Sequence, residues 1–326
     1  MNDNASRTRI SPIDQTAPRP IWSVMIPTYH CAKYLRETLL SVLSQDLGAD
    51  VMQIEVVDDC SIDDDPRKIV EEIGQGRVCF YQQPQNVGHI RNFQTCLNRA
   101  RGHLVHLLHG DDCVRDGFYR KMQQAFEQNF EIGAAYCRHQ YINNQSVPHY
   151  HEILEQPKSG VLENSLEKLA TRCRIQTPSI VVRRSVYETI GAFDRRLSVT
   201  EDWEMWVRIA AQYPIWYETE TLAFYRTHQN SNTAKHERAG KRLQDLRRAI
   251  DIMRESLPPE LAQLTKLGYE YYGADTLREA EKQIEKGHFK MGINYIREAL
   301  LFSRSSQMIW GALRLGKRML RHGVTR

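Results

Sequence analysis

The ordered pattern begins at "WSVMIPTYH" (22–30), a short apolar run that predicts a strand. "CAKYLRETLLSVLSQ" (31–45) follows, with Leu35, Leu39, Val42 and Leu43 at helical spacing. "MQIEVVDDCS" (52–61) reads as a second strand ending in acids, and in "DDDPRKIVEEI" Asp65 and Pro66 suit the N-cap and first turn of a helix. "RVCFYQQ" (77–83) predicts a third strand, and "NFQTCLNRARG" (92–102) a third helix closed by Gly102. "HLVHLLHGDD" gives a fourth strand and "DGFYRKMQQAFEQN" (116–129) the helix after it. Strand and helix thus alternate four times, which implies a parallel sheet covered on both faces.

From about residue 131 the alternation loosens. A strand in "IGAAYCRHQYI" leads into a loop-rich stretch with Pro148, Pro157 and Gly160. "TPSIVVRRSVYETIGAFD" (177–194) predicts strand, short helix and turn, and "TEDWEMWVRIAAQY" (200–213) a helix whose opening acids suit its positive N-terminal end. Beyond 235 the pattern is wholly helical, including a helical hairpin hinged at Gly287. Residues 1–20 are polar, hold three prolines and lack periodicity, so they read as a flexible tail.

At 326 residues with 41% hydrophobic positions, the chain can bury a sizeable core. It suits two domains, or one large α/β domain with an appendage. No run approaches the roughly 20 apolar residues of a membrane span, and no secretory pattern opens the chain. The seven cysteines are scattered, with no C-x-x-C pair, which argues against a disulfide framework or zinc ribbon and leads us to expect a cytoplasmic protein.

The net charge of +4 hides an asymmetry, because no acid follows Glu298 while six basic residues do. Only the tail is basic, so nucleic acid is not an expected partner. In "QMIWGALRLGKRMLRHGVTR", Ile309, Leu313 and Leu320 share one helical side and basic residues lie elsewhere. Such a helix can rest peripherally on an anionic membrane face, or pack on the domain with a solvated basic edge.

Parallel sheets bind ligands beyond the carboxyl ends of their strands, where Tyr29, Asp58, Asp59, Asp111 and Asp112 fall. Taken alone, Asp111 and Asp112 are either capping residues of a turn or ligands for a hard cation. Glu201 and Asp202 are likewise either helix-start acids or a base for proton transfer.

In ordered blocks from about 21 to 233 the chain resembles the family 2 glycosyltransferases, inverting nucleotide-sugar transferases of GT-A fold. "SVMIPTYHCAKYLRETLLSVLSQ" resembles the family's first strand and helix, and "IEVVDDCSIDD" its acidic second-strand end. "NVGHIRNFQTCLNRARGHLVHLLHGDD" is similar to the asparagine-glycine block that leads to the metal motif. "TPSIVVRRSVYETIGAFD", "TEDWEMWVRIA" and "LAFYRTH" resemble the acceptor-side blocks. In one departure, Arg91 follows Asn86 by five residues, where many members place an arginine at seven.

The resemblance implies a GT-A, Rossmann-like α/β fold with a mostly parallel sheet over 21–234 and a helical C-terminal region over 235–326. Residues 21–115 would form the nucleotide-binding half and 116–234 the acceptor half. It implies that Asp112 and His228 hold a divalent cation, magnesium or manganese, and that Tyr29, Asp59, Asp111, Arg91 and Arg226 contact a nucleotide-sugar donor, a UDP-sugar first. Asp202 is the implied catalytic base, with Glu201 and Trp203 beside the acceptor, a glycan or lipid-linked glycan. A non-catalytic nucleotide-sugar-binding scaffold on this fold, or a sugar nucleotidyltransferase, are the alternatives. The intact acids argue against the first and the glycine-free "IPTYHCAKYL" against the second.

Overall fold

The computed structural model describes residues 6–13 and 18–323. Its first half alternates as the pattern predicts: β1 (Trp22–Thr28), α1 (Ala32–Leu43), β2 (Met52–Asp58), α2 (Pro66–Gly74), β3 (Cys79–Gln82), α3 (His89–Arg99) and β4 (Leu104–Leu107). Asp65 caps α2 by accepting a hydrogen bond from the Lys68 N–H at 3.1 Å, with Pro66 opening the helix. The chain continues through β5 (Cys113–Val114), α4 (Phe118–Gln128), β6 (Ala134–Ile142), β7 (Pro148–His151), β8 (Gly160–Val161) and α5 (Ser165–Thr171). Then come β9 (Ile180–Arg183), α6 (Arg184–Ile190), α7 (Glu201–Ala210) and β10 (Ile215–Arg226).

The main sheet runs β3-β2-β1-β4-β9-β6-β10-β5. The pairs β1–β2, β1–β4, β2–β3 and β6–β10 are parallel; β9 lies antiparallel between β4 and β6. Two antiparallel steps restore the original direction, so β10 points the same way as β1. The carboxyl ends of β1, β2, β4, β6 and β10 therefore share one edge, and the segments 29–30, 59–61, 108–112 and 227–228 meet there.

The wholly buried strand β1 sends alternate side chains to opposite faces. Trp22, Val24 and Ile26 join a core with α1, α2 and α4, while Met25 joins a second core with α3, α6 and α7. The C-terminal region is helical, with α8 (Asn232–Arg238), α9 (Arg242–Ser256), α10 (Pro259–Ala262), α11 (Thr265–Glu285), α12 (Phe289–Phe302) and α13 (Ser306–Gly323). The second core extends into α9 to α12, while Leu315 of α13 joins a small cluster with Ala280 and Ile284 of α11. Gly287, at φ +79°, turns α11 into α12 as the hinge pattern predicts. No described helix is long and apolar enough to cross a membrane.

The expected N-terminal tail is packed where it is described. Ile10 is buried in the α3–α7 core, and the Arg7 guanidinium pairs with Asp194 and Glu204. Proline-rich, aperiodic chain hid this, because beyond one apolar residue and one arginine the attachment is backbone pairing, with Ser6 O and Thr8 O accepting from the Arg195 and Ala192 N–H groups. The first five residues and 14–17, part of the same expectation, lie outside the described residues.

Candidate active site

The acidic loop at the end of β4 is held from several sides. The Gly110 N–H donates to Pro27 O at 3.0 Å, the Thr38 hydroxyl to Asp112 O at 2.8 Å, and the Arg226 N–H to Asp112 Oδ1 at 2.8 Å. Glycine is required at 110 because a Cβ there would stand 2.5 Å from Thr28 Cγ2 and 3.0 Å from Cys31 Sγ. The close approach of β1 to this loop fixes both acids.

Asp112 is buried, and its Oδ2 has no hydrogen-bond partner. Burial, then the Asp111 charge, pushes its carboxyl well above the usual range against the pull of the Arg226 N–H. Burial would raise Asp111 too, but a 2.9 Å hydrogen bond from His228 Nε2 leads the effects that hold it low. Burial pulls His109 toward its neutral form. Ligand atoms of His109, Asp111 and Asp112 lie within 4.8 Å of one another. An unpartnered buried carboxylate oxygen beside a second carboxylate and an imidazole fits a divalent cation, which would relieve the repulsion.

On the facing side α7 begins with Glu201 and Asp202. Asp202 Oδ1 accepts from the Trp203 N–H at 2.7 Å, and Oδ2 from the Thr177 hydroxyl at 3.4 Å. Burial, then the charge of Glu201, pushes Asp202 up to about 7. Burial would also raise Glu201, but His89, with Nε2 3.2 Å from Glu201 Oε1, outweighs it and holds that acid low. Two adjacent carboxyls are thus driven apart by one histidine. The Tyr225 phenol feels both acidic centres: burial raises its pKa, and the charges of Asp112, Asp111 and Asp202 add to the rise against a hydrogen bond with Thr233.

Several expected residues have other duties. Asp59 is buried and accepts from the Val87 N–H at 2.8 Å, the Gly88 N–H at 2.9 Å and the Asn86 amide at 3.1 Å, so its carboxylate holds the 86–88 turn. Asp58 accepts from Thr28, Ser61 and Gln82 and orients its own loop. Arg226 is not open to a phosphate: it is 1% exposed, donates to Asp111 O, Asn143 O and Glu37, and lies over the Tyr34 ring. Trp203, implied to lie beside the acceptor, is instead fully buried with its indole N–H on Leu169 O; Trp206 is core as well. His228 approaches the metal motif by bonding Asp111 rather than joining the donor cluster. Tyr29 and Arg91 are exposed, Tyr29 with its ring 4.1 Å from that of His30.

The pattern missed His89, which pairs with Glu201, and Thr177, which donates to Asp202. His89 directly follows the turn that Asp59 holds, and that adjacency in "NVGH" was the available signal. His109, the third member of the donor cluster, stacks on Phe93 at 5.0 Å and 15°.

Comparison with known proteins places the fold and the family. An uncharacterized glycosyltransferase of Rickettsia typhi is 26% identical over 68% of this chain and 69% of its own length. Curated relatives from Mycoplasma genitalium and Mycobacterium tuberculosis are matched over 42% and 48% of their own lengths. Among solved structures, Staphylococcus aureus TarS 1–349 in complex with UDP-GlcNAc superposes with a TM-score of 0.63 at 17% identity, over 85% of this chain and 81% of that one. The mannosyltransferase PcManGT from Pyrobaculum calidifontis, in complex with GDP-Man and Mn2+, gives 0.59 at 17% identity, over 95% and 82%. At that identity the likeness establishes the GT-A fold. Residues 23–191, more than half of the chain, match the family described as Glycosyl transferase family 2, and the chain belongs to that family.

Proposed function

We propose that the protein moves a glycosyl group from a nucleotide-diphospho-sugar, a UDP-sugar first, to a hydroxyl of a glycan or lipid-linked glycan, in one displacement that inverts the anomeric centre. The observation that carries this reading is Asp202, a carboxyl raised to about 7 that shares the surroundings of Tyr225 with Asp111 and Asp112. A base near the working pH is ionised often enough to act and basic enough to take a hydroxyl proton. The acceptor oxygen bonds to the anomeric carbon as its proton passes to Asp202 and the bond to the diphosphate oxygen breaks. Glu201, kept ionised by His89, stays unprotonated beside Asp202 and sustains its raised basicity. Thr177 and the Trp203 N–H fix the orientation of the base.

Magnesium or manganese held by Asp111, Asp112 and His109 would offset the charge of the departing diphosphate. TarS in complex with UDP-GlcNAc and PcManGT with GDP-Man and Mn2+ support both the donor class and the cation. The test is a thermal-shift panel of UDP- and GDP-sugars with and without manganese, because a ligand of the native state raises its apparent stability. At about 100 times its dissociation constant a ligand contributes roughly 2.7 kcal/mol, a rise of several degrees. A manganese-dependent rise with a UDP-sugar is expected. A flat panel overturns the reading, and a rise with GDP-sugars alone corrects the base.

A further inference from the structure

The last two helices expose apolar surface that the fold leaves uncovered. On α13, Met308 and Leu315 are buried against the body, while Ile309 is 43% exposed, Trp310 69%, Leu313 53% and Leu320 72%. Ile293 and Leu301 on α12 are also exposed. Between the two helices runs a groove of about 880 Å³ lined by Phe289, Ile293, Ile296, Ala312, Leu313 and Met319 among others. Soluble chains seldom expose so many large apolar residues together without a partner.

Apart from Glu298, the charged residues of α12, α13 and the link between them are basic. Lys290, Arg297, Arg304, Arg314 and Lys317 are exposed on the same two helices and the link between them. Glu298, the last acid of the chain, pairs with Arg247 at 2.6 Å. On α11, Glu281 and Glu285 pair with Arg318 and Glu279 with Lys282, while Glu270 accepts from the Ser303 and Ser305 hydroxyls of the link. The face is therefore apolar at its centre and basic at its edges, with an exposed tryptophan between.

We propose that this face of α12 and α13 docks on an anionic lipid bilayer, lying in the headgroup plane. A helix with an apolar strip and a basic border binds there by burying the strip and attracting the lipid charge, and long basic side chains keep their heads in the polar layer. Spanning is not involved, because neither helix is long and apolar enough. Charge selects the occupant. A second copy docked face to face would bring two basic borders together, whereas an anionic surface complements them. Nucleic acid would match the border but leave the apolar centre in water.

The surface is tied to the catalytic half of the molecule. Tyr272 of α11 meets Trp203 of α7 at 5.2 Å and Phe302 of α12 at 6.2 Å, so a docked α12–α13 pair holds the base-bearing helix in a fixed attitude to the bilayer.

The test uses the full-length protein and vesicles of phosphatidylcholine with and without phosphatidylglycerol, read by flotation and tryptophan emission. Binding is expected only to the anionic vesicles and should weaken as salt rises. Arg314→Gln with Lys317→Gln should lower partitioning about 30-fold, at roughly fivefold per charge near an anionic surface. Leu313→Ser with Leu320→Ser should lower it comparably. These side chains are exposed, so unchanged thermal unfolding is expected and separates lost docking from lost folding. Trp22, Trp203 and Trp206 are buried and Trp216 is half-buried in the sheet, so a blue shift on docking belongs mainly to Trp310; Trp310→Phe should still bind and lose most of it. Equal binding to neutral vesicles, absence of binding, or variants that bind like the parent overturns the proposal. A dimer in solution that dissociates on Leu313→Ser overturns it also and assigns the face to a second copy.

Discussion

At the scale of residues, chemistry is concentrated where like charges are forced together. Asp202 carries a raised carboxyl beside Glu201, an arrangement that favours proton transfer and disfavours folding at neutral pH. Its folded-state pKa, about 7 against 3.8 in the unfolded chain, means the native state keeps the proton longer. Stability therefore falls as pH rises from about 4 to about 7 and stays lower above that. Asp202→Asn should raise the unfolding temperature at pH 8 and change it little at pH 4. It should also cut transfer by roughly 100- to 10,000-fold, the range for losing a general base, while leaving nucleotide binding measurable. In the parent, turnover should fall below pH about 7, where the base is protonated. Unchanged turnover in the variant would falsify the assignment. The types and order of the acids were legible in the sequence, but the duties of Arg226 and Trp203 were not. An arginine two residues before a histidine reads as a phosphate ligand until its guanidinium is found buried over Tyr34. Burial of that kind is a property of the assembled fold.

At the scale of elements, the parallel half was written into the chain because buried strands and amphipathic helices leave distinct periodicities. Strand β9 was legible as a strand but not as the reversed one, since direction depends on the connection through α5 rather than on local pattern. That reversal matters for the candidate site: it lets β10 end on the edge that carries the acids and bring Arg226 and His228 to the acidic loop. The junction of β1 with this loop depends on Gly110. Gly110→Ala would place a methyl 2.5 Å from Thr28 Cγ2, against a strand end that Asp58 holds through the Thr28 hydroxyl at 3.1 Å. The loop must then lift off β1, at about 1–3 kcal/mol for overpacking. Calorimetry should find a lower unfolding temperature and a smaller gain on adding manganese; an unchanged pair of values would show that the contact is slack.

At the scale of the whole molecule, the helical C-terminal region and the catalytic sheet hold each other. The Asp245 carboxylate on α9 accepts from the N–H groups of Ser198 and Val199, at 3.1 and 2.9 Å, and from the Thr200 hydroxyl at 2.8 Å. These three residues lead directly into Glu201 and Asp202, so the base is set from outside the segment that carries it. Tyr272 repeats the connection from α11, accepting from the Cys173 N–H at 3.1 Å and packing on Trp203. Helical periodicity announced these elements, while their duty lay in pairings across 45 or more residues that no local pattern encodes. Asp245→Ala would leave two backbone donors and a hydroxyl short of a partner, each buried loss costing about 1–3 kcal/mol. Turnover should drop several-fold or more with the donor's thermal shift retained, because the acidic loop is untouched. Denaturant unfolding of the Trp310→Phe variant, followed by far-UV circular dichroism, which reports the helices, and by tryptophan emission, which then reports only tryptophans outside the C-terminal helices, Trp203 and Trp206 among them, should give coincident transitions. If the helical signal melts apart from the tryptophan signal, the C-terminal region is an independent unit, and Asp245 cannot be what positions the base.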